Sequence, residues 1–161
     1  MVATKEHIWT ILKNVPDPEI PNLSVLDLGV IREVKFEGES LVVVITPTYS
    51  GCPAMDMIEV NIKSELEENG FRNVKVETVL SPAWTTDWIT EEGKRKLHEA
   101  GIAPPQGKAD KRLLHGDFEH IPCPQCDSTH TEMISQFGST ACKSLFRCLD
   151  CKEPFDYFKC H

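Results

Sequence analysis

The sequence predicts an α+β domain of about one hundred residues, followed by a short, mainly β module built around cysteines. Three observations carry that prediction. Apolar residues recur at helical and strand periods in turn through the first hundred positions. Six of the seven cysteines fall in the last 39 of the 161 residues. Between these regions, a stretch beginning Ala103-Pro104-Pro105-Gln106-Gly107 and running through His115-Gly116 breaks both patterns. The expected organisation is therefore a first domain over 1–103, a linker over 104–120 and a cysteine module over 121–161.

Thr4 is placed to cap a first helix whose apolar face is Ile8, Ile11, Leu12 and Val15, spaced by three and four. Pro16, Pro18 and Pro21 end it and stiffen the loop that follows. Gly29, after Asp27-Leu28, lets the chain turn into a strand over Val30 to Phe36. Glu37-Gly38-Glu39-Ser40 then reads as a hairpin into a second strand, Leu41 to Thr46. That strand is apolar on both faces and is expected at the centre of its sheet. Pro53 suits the first position of a second helix, with Met55, Ile58, Ile62 and Leu66 inward and Gly70 as its stop. Val74 to Leu80 alternates as a third strand until Ser81-Pro82. A last helix runs from a cap at Thr90 to Gly101, where Ile102 can fold back on Leu97. The predicted order is helix, strand, strand, helix, strand, helix. Beyond residue 120 there is no helical period, only β-like runs at Thr129 to Phe137, Ser144 to Arg147 and Phe155 to Lys159.

Seventeen basic against twenty-five acidic residues give a net charge of −8. Residues 1–100 hold 10 basic and 17 acidic side chains, and the remainder hold 7 and 8. Neither part offers a basic face to a phosphate backbone, so nucleic-acid binding is not expected. No apolar run approaches the ~20 residues that span a bilayer, and the N-terminus does not read as a secretory signal. The expected location is cytoplasmic, with no membrane association.

In a reducing compartment a cysteine cluster favours metal over disulfides. Cys123-Pro124-Gln125-Cys126 and Cys148-Leu149-Asp150-Cys151 form two knuckles, 21 residues apart. Each presents two thiolates to one ion, and an intervening hairpin closes a tetrahedral cage. Zinc is the expected occupant, as a structural zinc ribbon; a redox dithiol and an iron–sulfur cluster are alternatives on the same ligands. The glycine that commonly relaxes such a knuckle is replaced by Asp127 and Lys152. With few aromatic residues for a core, the module is expected to draw folding free energy from its metal. Cys142 reads first as a small buried hydrophobe beside the site, with an additional metal or redox role as the alternative. Cys160-His161 is open between a second, transient metal or redox site and a frayed end.

Cys52, the remaining cysteine, precedes Pro53 at the start of the second helix, where the helix dipole favours a thiolate. It reads equally as a reactive or metal-binding thiol and as a half-buried capping cysteine. Asp17 and Glu19 in the proline loop could ligate iron, but their commoner role is capping and turn hydrogen bonding. Asp56 and Glu59, on one helical face, read as solvated surface. No histidine pairs with a nucleophile, no phosphate-binding glycine pattern appears, and no catalytic residue is assigned.

Asp17-Pro18-Glu19-Ile20-Pro21-Asn22-Leu23-Ser24-Val25-Leu26-Asp27-Leu28-Gly29 and Thr48-Tyr49-Ser50-Gly51-Cys52-Pro53 resemble the two signature segments of the small iron–sulfur assembly domain of SufT-like proteins. Phe137-Gly138-Ser139-Thr140-Ala141-Cys142-Lys143 and the run Cys151 to His161 resemble the PaaD (PaaJ) family, which extends the likeness to nearly the whole chain. The resemblance implies an iron–sulfur-assembly-type α+β domain followed by a zinc ribbon. It implies an accessory factor of aerobic phenylacetate degradation rather than an independent enzyme. That factor would assist iron or iron–sulfur cluster delivery to the reductase or the di-iron component of phenylacetyl-CoA epoxidase. The alternative is a stoichiometric, non-catalytic subunit of the oxygenase. Cys52 matches the family's presumed functional thiol, and Asp17, Glu19 and Asp27 match acidic positions. The implied partners are the epoxidase components and the iron–sulfur assembly machinery, and a homodimer is compatible with the reading.

Overall fold

A computed structural model describes residues 3–48, 54–105, 121–138 and 143–158. The chain divides into two compact units, Met1–Trp84 with Trp88–Gly93, and Thr85–Asp87 with Lys94–His161. The fold class is α+β, as the sequence predicts.

In the first unit, helix α1 (Lys5–Leu12) starts where the Thr4 hydroxyl accepts the His7 N–H at 3.3 Å. It buries Ile8, Ile11 and Leu12. After the proline loop come strands β1 (Ile31–Glu37) and β2 (Ser40–Ile45), antiparallel through a two-residue turn that opens at Gly38 with φ +61°. Helix α2 (Ala54–Glu68) buries Ile58, Ile62 and Leu66 and crosses over to β3 (Val74–Thr78), parallel to β2. The sheet order is β1-β2-β3, so the strand that reads as apolar on both faces is the central one. Lys35 of β1 bonds Glu37 at 2.9 Å and reaches across β2 to Glu77 of β3 at 3.6 Å. Charged side chains from the two edge strands thus extend over Val42, which is fully buried. β3 is shorter than the alternation Val74 to Leu80 suggests. Its partner β2 ends at Ile45, whose carbonyl takes one last bond from the Val79 N–H at 2.9 Å.

The turn at Gly29 is tightly enclosed. Its φ is +70°, and an added Cβ would lie 2.4 Å from the Trp88 carbonyl oxygen. Trp84 donates its indole N–H to the Leu28 carbonyl at 2.8 Å, and the Thr90 N–H bonds the Asp27 carbonyl at 2.9 Å. Trp84, Trp88 and Thr90 therefore pin the Asp27–Gly29 corner. Thr90 caps helix α3 (Glu91–Glu99) through the Gly93 N–H at 3.0 Å.

The second unit is a four-stranded sheet in the order β4-β7-β6-β5. Its strands are β4 (Ile102–Ala103), β5 (Thr131–Ser135), β6 (Lys143–Cys148) and β7 (Pro154–Phe158). Pairing is antiparallel except between β4 and β7. Ile102 and Ala103, placed by sequence at the end of the first domain, pair with Asp156 and Tyr157 of β7. Two residues are too few to show a strand period, and their partner lies some fifty positions away. Phe146 stacks on Phe155 at 5.8 Å and meets Tyr157 edge-on at 5.6 Å, with Ala103 and Ile121 completing the apolar cluster.

Candidate functional site

The knuckles face each other because their backbones turn back sharply. The Asp127 N–H bonds the Cys123 carbonyl at 2.8 Å, and the Cys123 N–H bonds the Ser128 carbonyl at 2.8 Å. Asp127 (φ +59°) and Lys152 (φ +69°) take the left-handed backbone that the missing glycines would have taken. Cys148, at the end of β6, is held by its N–H to the Glu153 carbonyl at 3.0 Å.

The four thiols converge. Cys123 Sγ lies 3.7 Å from Cys151 Sγ, Cys126 Sγ lies 3.6 Å from Cys148 Sγ, and all four are within 4.8 Å of one another. Thiolates at ~2.3 Å around a tetrahedral ion are about 3.8 Å apart, so the spacing fits a closed four-thiolate cage. Among the described residues this is the one cluster of three or more potential metal ligands. Cys123 and Cys148 are buried and Cys126 is exposed, so one flank of the cage faces solvent.

The thiols are unequal. Backbone N–H groups of Cys151 and Asp150 converge on Cys148 and pull it down to about 6, a thiolate at neutral pH. Burial pushes Cys123 up. Cys126 and Cys151 are also pushed up: the N–H groups of Ser128 and Glu153 favour their thiolates, but burial and neighbouring thiols outweigh them. Closing the cage on a cation requires the three thiols that are pushed up to release their protons.

Around the cage lies a contact that sequence reasoning missed. Asp150, between the two cysteines of the second knuckle, accepts from the Ser128 hydroxyl and meets His130 Nδ1 at 3.3 Å. The His130 N–H bonds Ser128 Oγ at 3.1 Å, and the Leu149 N–H bonds the His130 carbonyl at 2.8 Å. The Ser128 hydroxyl, then His130, hold the Asp150 carboxyl below its usual range. Nothing in the spacing of these three residues announces the clasp, which forms only once the knuckles meet.

In the first unit the acidic positions serve the backbone. Asp17 is buried, and its Oδ1 accepts from the Glu19 and Ile20 N–H groups at 2.8 Å each. Asp27 Oδ2 accepts the Ser24 N–H at 3.0 Å while Ser24 Oγ accepts the Asp27 N–H at 3.1 Å. Glu19 is half-buried beside them in sequence. Thr46, just past the carboxyl end of β2 and six residues before Cys52, is buried, and its hydroxyl has no hydrogen-bond partner among the described residues. An orphaned buried hydroxyl costs about 1–3 kcal/mol. Cys52, Cys142, Cys160 and His161 lie outside the described residues.

By family match, the α+β domain and the four-cysteine β module form a class in which an iron–sulfur cluster assembly domain is followed by a zinc ribbon. The iron–sulfur cluster assembly protein family matches residues 5–78, and the PaaD zinc beta ribbon domain matches residues 107–159. The chain belongs to the PaaD family. It is 50% identical over 158 residues to an Escherichia coli (strain K12) protein provisionally named as a subunit of 1,2-phenylacetyl-CoA epoxidase, covering 96% of this chain and 92% of that one. It is 36% identical over 98 residues to the Fe-S protein maturation auxiliary factor of Porphyromonas gingivalis (strain ATCC BAA-308 / W83), covering 60% of this chain and 92% of that one. A crystal structure of a domain of unknown function, DUF59, from Bacillus anthracis matches with a TM-score of 0.54 at 25% identity, covering 58% of this chain and 90% of that one. A conserved hypothetical protein of Thermotoga maritima matches with a TM-score of 0.50 at 31% identity, covering 59% and 94%. No helix among the described residues is long and apolar enough to cross a membrane.

Proposed function

We propose that this chain is a cytoplasmic maturation factor for phenylacetyl-CoA epoxidase, acting on iron or an iron–sulfur cluster as cargo rather than catalysing the epoxidation. Cys52 holds or hands over the cargo from the first unit. The ribbon, closed on zinc by Cys123, Cys126, Cys148 and Cys151, recognises the recipient, the reductase or the di-iron component. Zinc supplies structure and no redox chemistry there. The observation that carries this reading is the division of labour within one chain: a closed cage on one module, and an assembly-type domain bearing its own separate cysteine on the other. The buried hydroxyl of Thr46, without a partner among the described residues, supports it, since an orphaned polar group beside the Cys52 segment in sequence suits an incoming ligand. Asp17 and Asp27 act as loop supports in this scheme.

Replacing Cys52 with Ala in cells is expected to lower both epoxidase activity and the cluster content of the reductase. Unchanged values of both would refute cargo transfer through this thiol. A second reading, a stoichiometric non-catalytic component of the oxygenase, is favoured by the name of the Escherichia coli relative. It requires stable co-purification with the oxygenase and full metal content of the recipient when this chain is deleted.

A further inference from the structure

Helix α2 buries Ile58, Ile62 and Leu66, and the stripe flanking that face carries an unusual sequence of side chains. Near its N-terminal end Met57 and Val60 are 52% and 58% exposed. Farther along, Asn61, Ser64, Glu65 and Glu68 join Val15 and Pro16 to line a cleft of about 190 Å³. Positions 57, 60, 61, 64, 65 and 68 recur at helical spacing and form one continuous track. At ~1.5 Å of rise per residue, Met57 and Glu68 lie about 16 Å apart along it.

The acidic end of the track opposes helix electrostatics. A helix C-terminus carries partial negative charge and favours lysine or arginine. The last turn of α2 contains Glu65, Glu67 and Glu68 and no basic residue. The Asn14 amide reaches Glu65 at 3.5 Å, but a neutral amide does not offset the charge. Backbone bonds already close the helix end, from the Gly70 N–H to the Glu67 carbonyl at 3.0 Å and from the Phe71 N–H to the Leu66 carbonyl at 3.1 Å. These carboxylates therefore weaken the helix they sit on, which is the signature of a sequence serving something other than its fold.

We propose that this track docks an amphipathic segment of the protein that receives the cargo. The segment places apolar side chains on Met57 and Val60, and a lysine or arginine about 16 Å away in the cleft between Glu65 and Glu68. Charge complementarity selects this occupant. Helix α2 carries Asp56, Glu59, Glu65, Glu67 and Glu68 against Lys63 alone, so a basic segment is steered toward it and relieves the repulsion at the helix end. The apolar pair supplies the anchor. A second copy of the chain fits poorly, because an antiparallel pairing of two tracks sets carboxylates against Met57 and Val60, and a parallel pairing sets carboxylate against carboxylate. The inference rests on the maturation reading and names the chemistry of its recipient.

The test titrates the full-length protein against the purified reductase and di-iron components of the epoxidase, at low and moderate salt. Glu65→Lys/Glu68→Lys is expected to weaken binding at least about tenfold and to remove most of its salt dependence. Met57→Ser/Val60→Ser is expected to weaken it about tenfold with the salt dependence kept. Glu33→Lys/Glu39→Lys, with the same charge change outside the track, controls for bulk charge, and helix content by circular dichroism controls for folding. Native-like binding by both track variants overturns the docking inference and leaves the maturation reading intact. So does an equal loss in the control variant, or self-association abolished by the same substitutions. A native protein that binds neither component overturns both.

Discussion

The first unit buries Ile8, Leu12, Leu41, Ile62 and Leu66 from two helices and a strand, none of them a candidate ligand. In the ribbon, the apolar cluster of Ala103, Ile121, Phe146, Phe155 and Tyr157 includes Cys123 and Cys148 themselves. One module thus hangs its candidate chemistry on a scaffold that stands without it. In the other, scaffold and site are the same residues, so disturbing either disturbs both. Small domains that cannot bury enough apolar area commonly make this second choice.

The largest expected effect follows directly. Apparent zinc-binding free energies of about 10–16 kcal/mol exceed what so small a core provides. Chelation, or Cys148→Ser, is therefore expected to collapse the amide dispersion of residues 121–138 and 143–158. Emission from Trp9, Trp84 and Trp88, all in the first unit, should not change, and a parallel change would break the comparison. Proton competition sharpens it. With Cys148 near 6 and the other three thiols raised, zinc binding at neutral pH should release roughly three protons. Affinity is expected to fall as pH falls, and more steeply once Cys148 itself protonates below about 6; a flat dependence of zinc affinity on pH would exclude this assignment.

Leu66→Ala should cost the first unit about 2–5 kcal/mol in denaturant unfolding while bound zinc per chain stays constant. Gly29→Ala combines a positive φ with a contact to the Trp88 carbonyl and should cost about 1–3 kcal/mol by the same measurement. In the ribbon, Asp150→Ala removes the clasp to Ser128 and His130 and should speed zinc release to a chelator roughly tenfold without changing the first unit's midpoint. The smallest effect is a gain: Lys152→Gly relieves a left-handed lysine and should stabilise the zinc-bound ribbon by up to about 1 kcal/mol.

How much of this was legible depended on whether the signal was local. The period of three and four in α1 and α2, the doubly apolar β2 and the cysteine spacings each declare themselves within a few residues. The absence of glycine after Cys126 and Cys151 was also readable, and the structure answers it with two residues at positive φ. What stayed hidden depends on distant partners. β4 exists because β7 offers it an edge, the shortened β3 reflects the end of β2, and the Asp150 clasp joins positions 22 residues apart in sequence. The orphaned hydroxyl of Thr46 is likewise invisible until its surroundings are built.

The pairing of Ile102–Ala103 with β7 also has a temporal side. On a ribosome adding about 5–20 residues per second, the fifty or so residues between these strands take roughly 3–10 s to appear. Through that interval the whole first unit is available to fold, while Ile102 and Ala103 wait with their sheet partner unmade. The ribbon therefore cannot be completed as a nascent hairpin. Its last strand to be synthesised must return to the first, so the module closes only after β7 has been made.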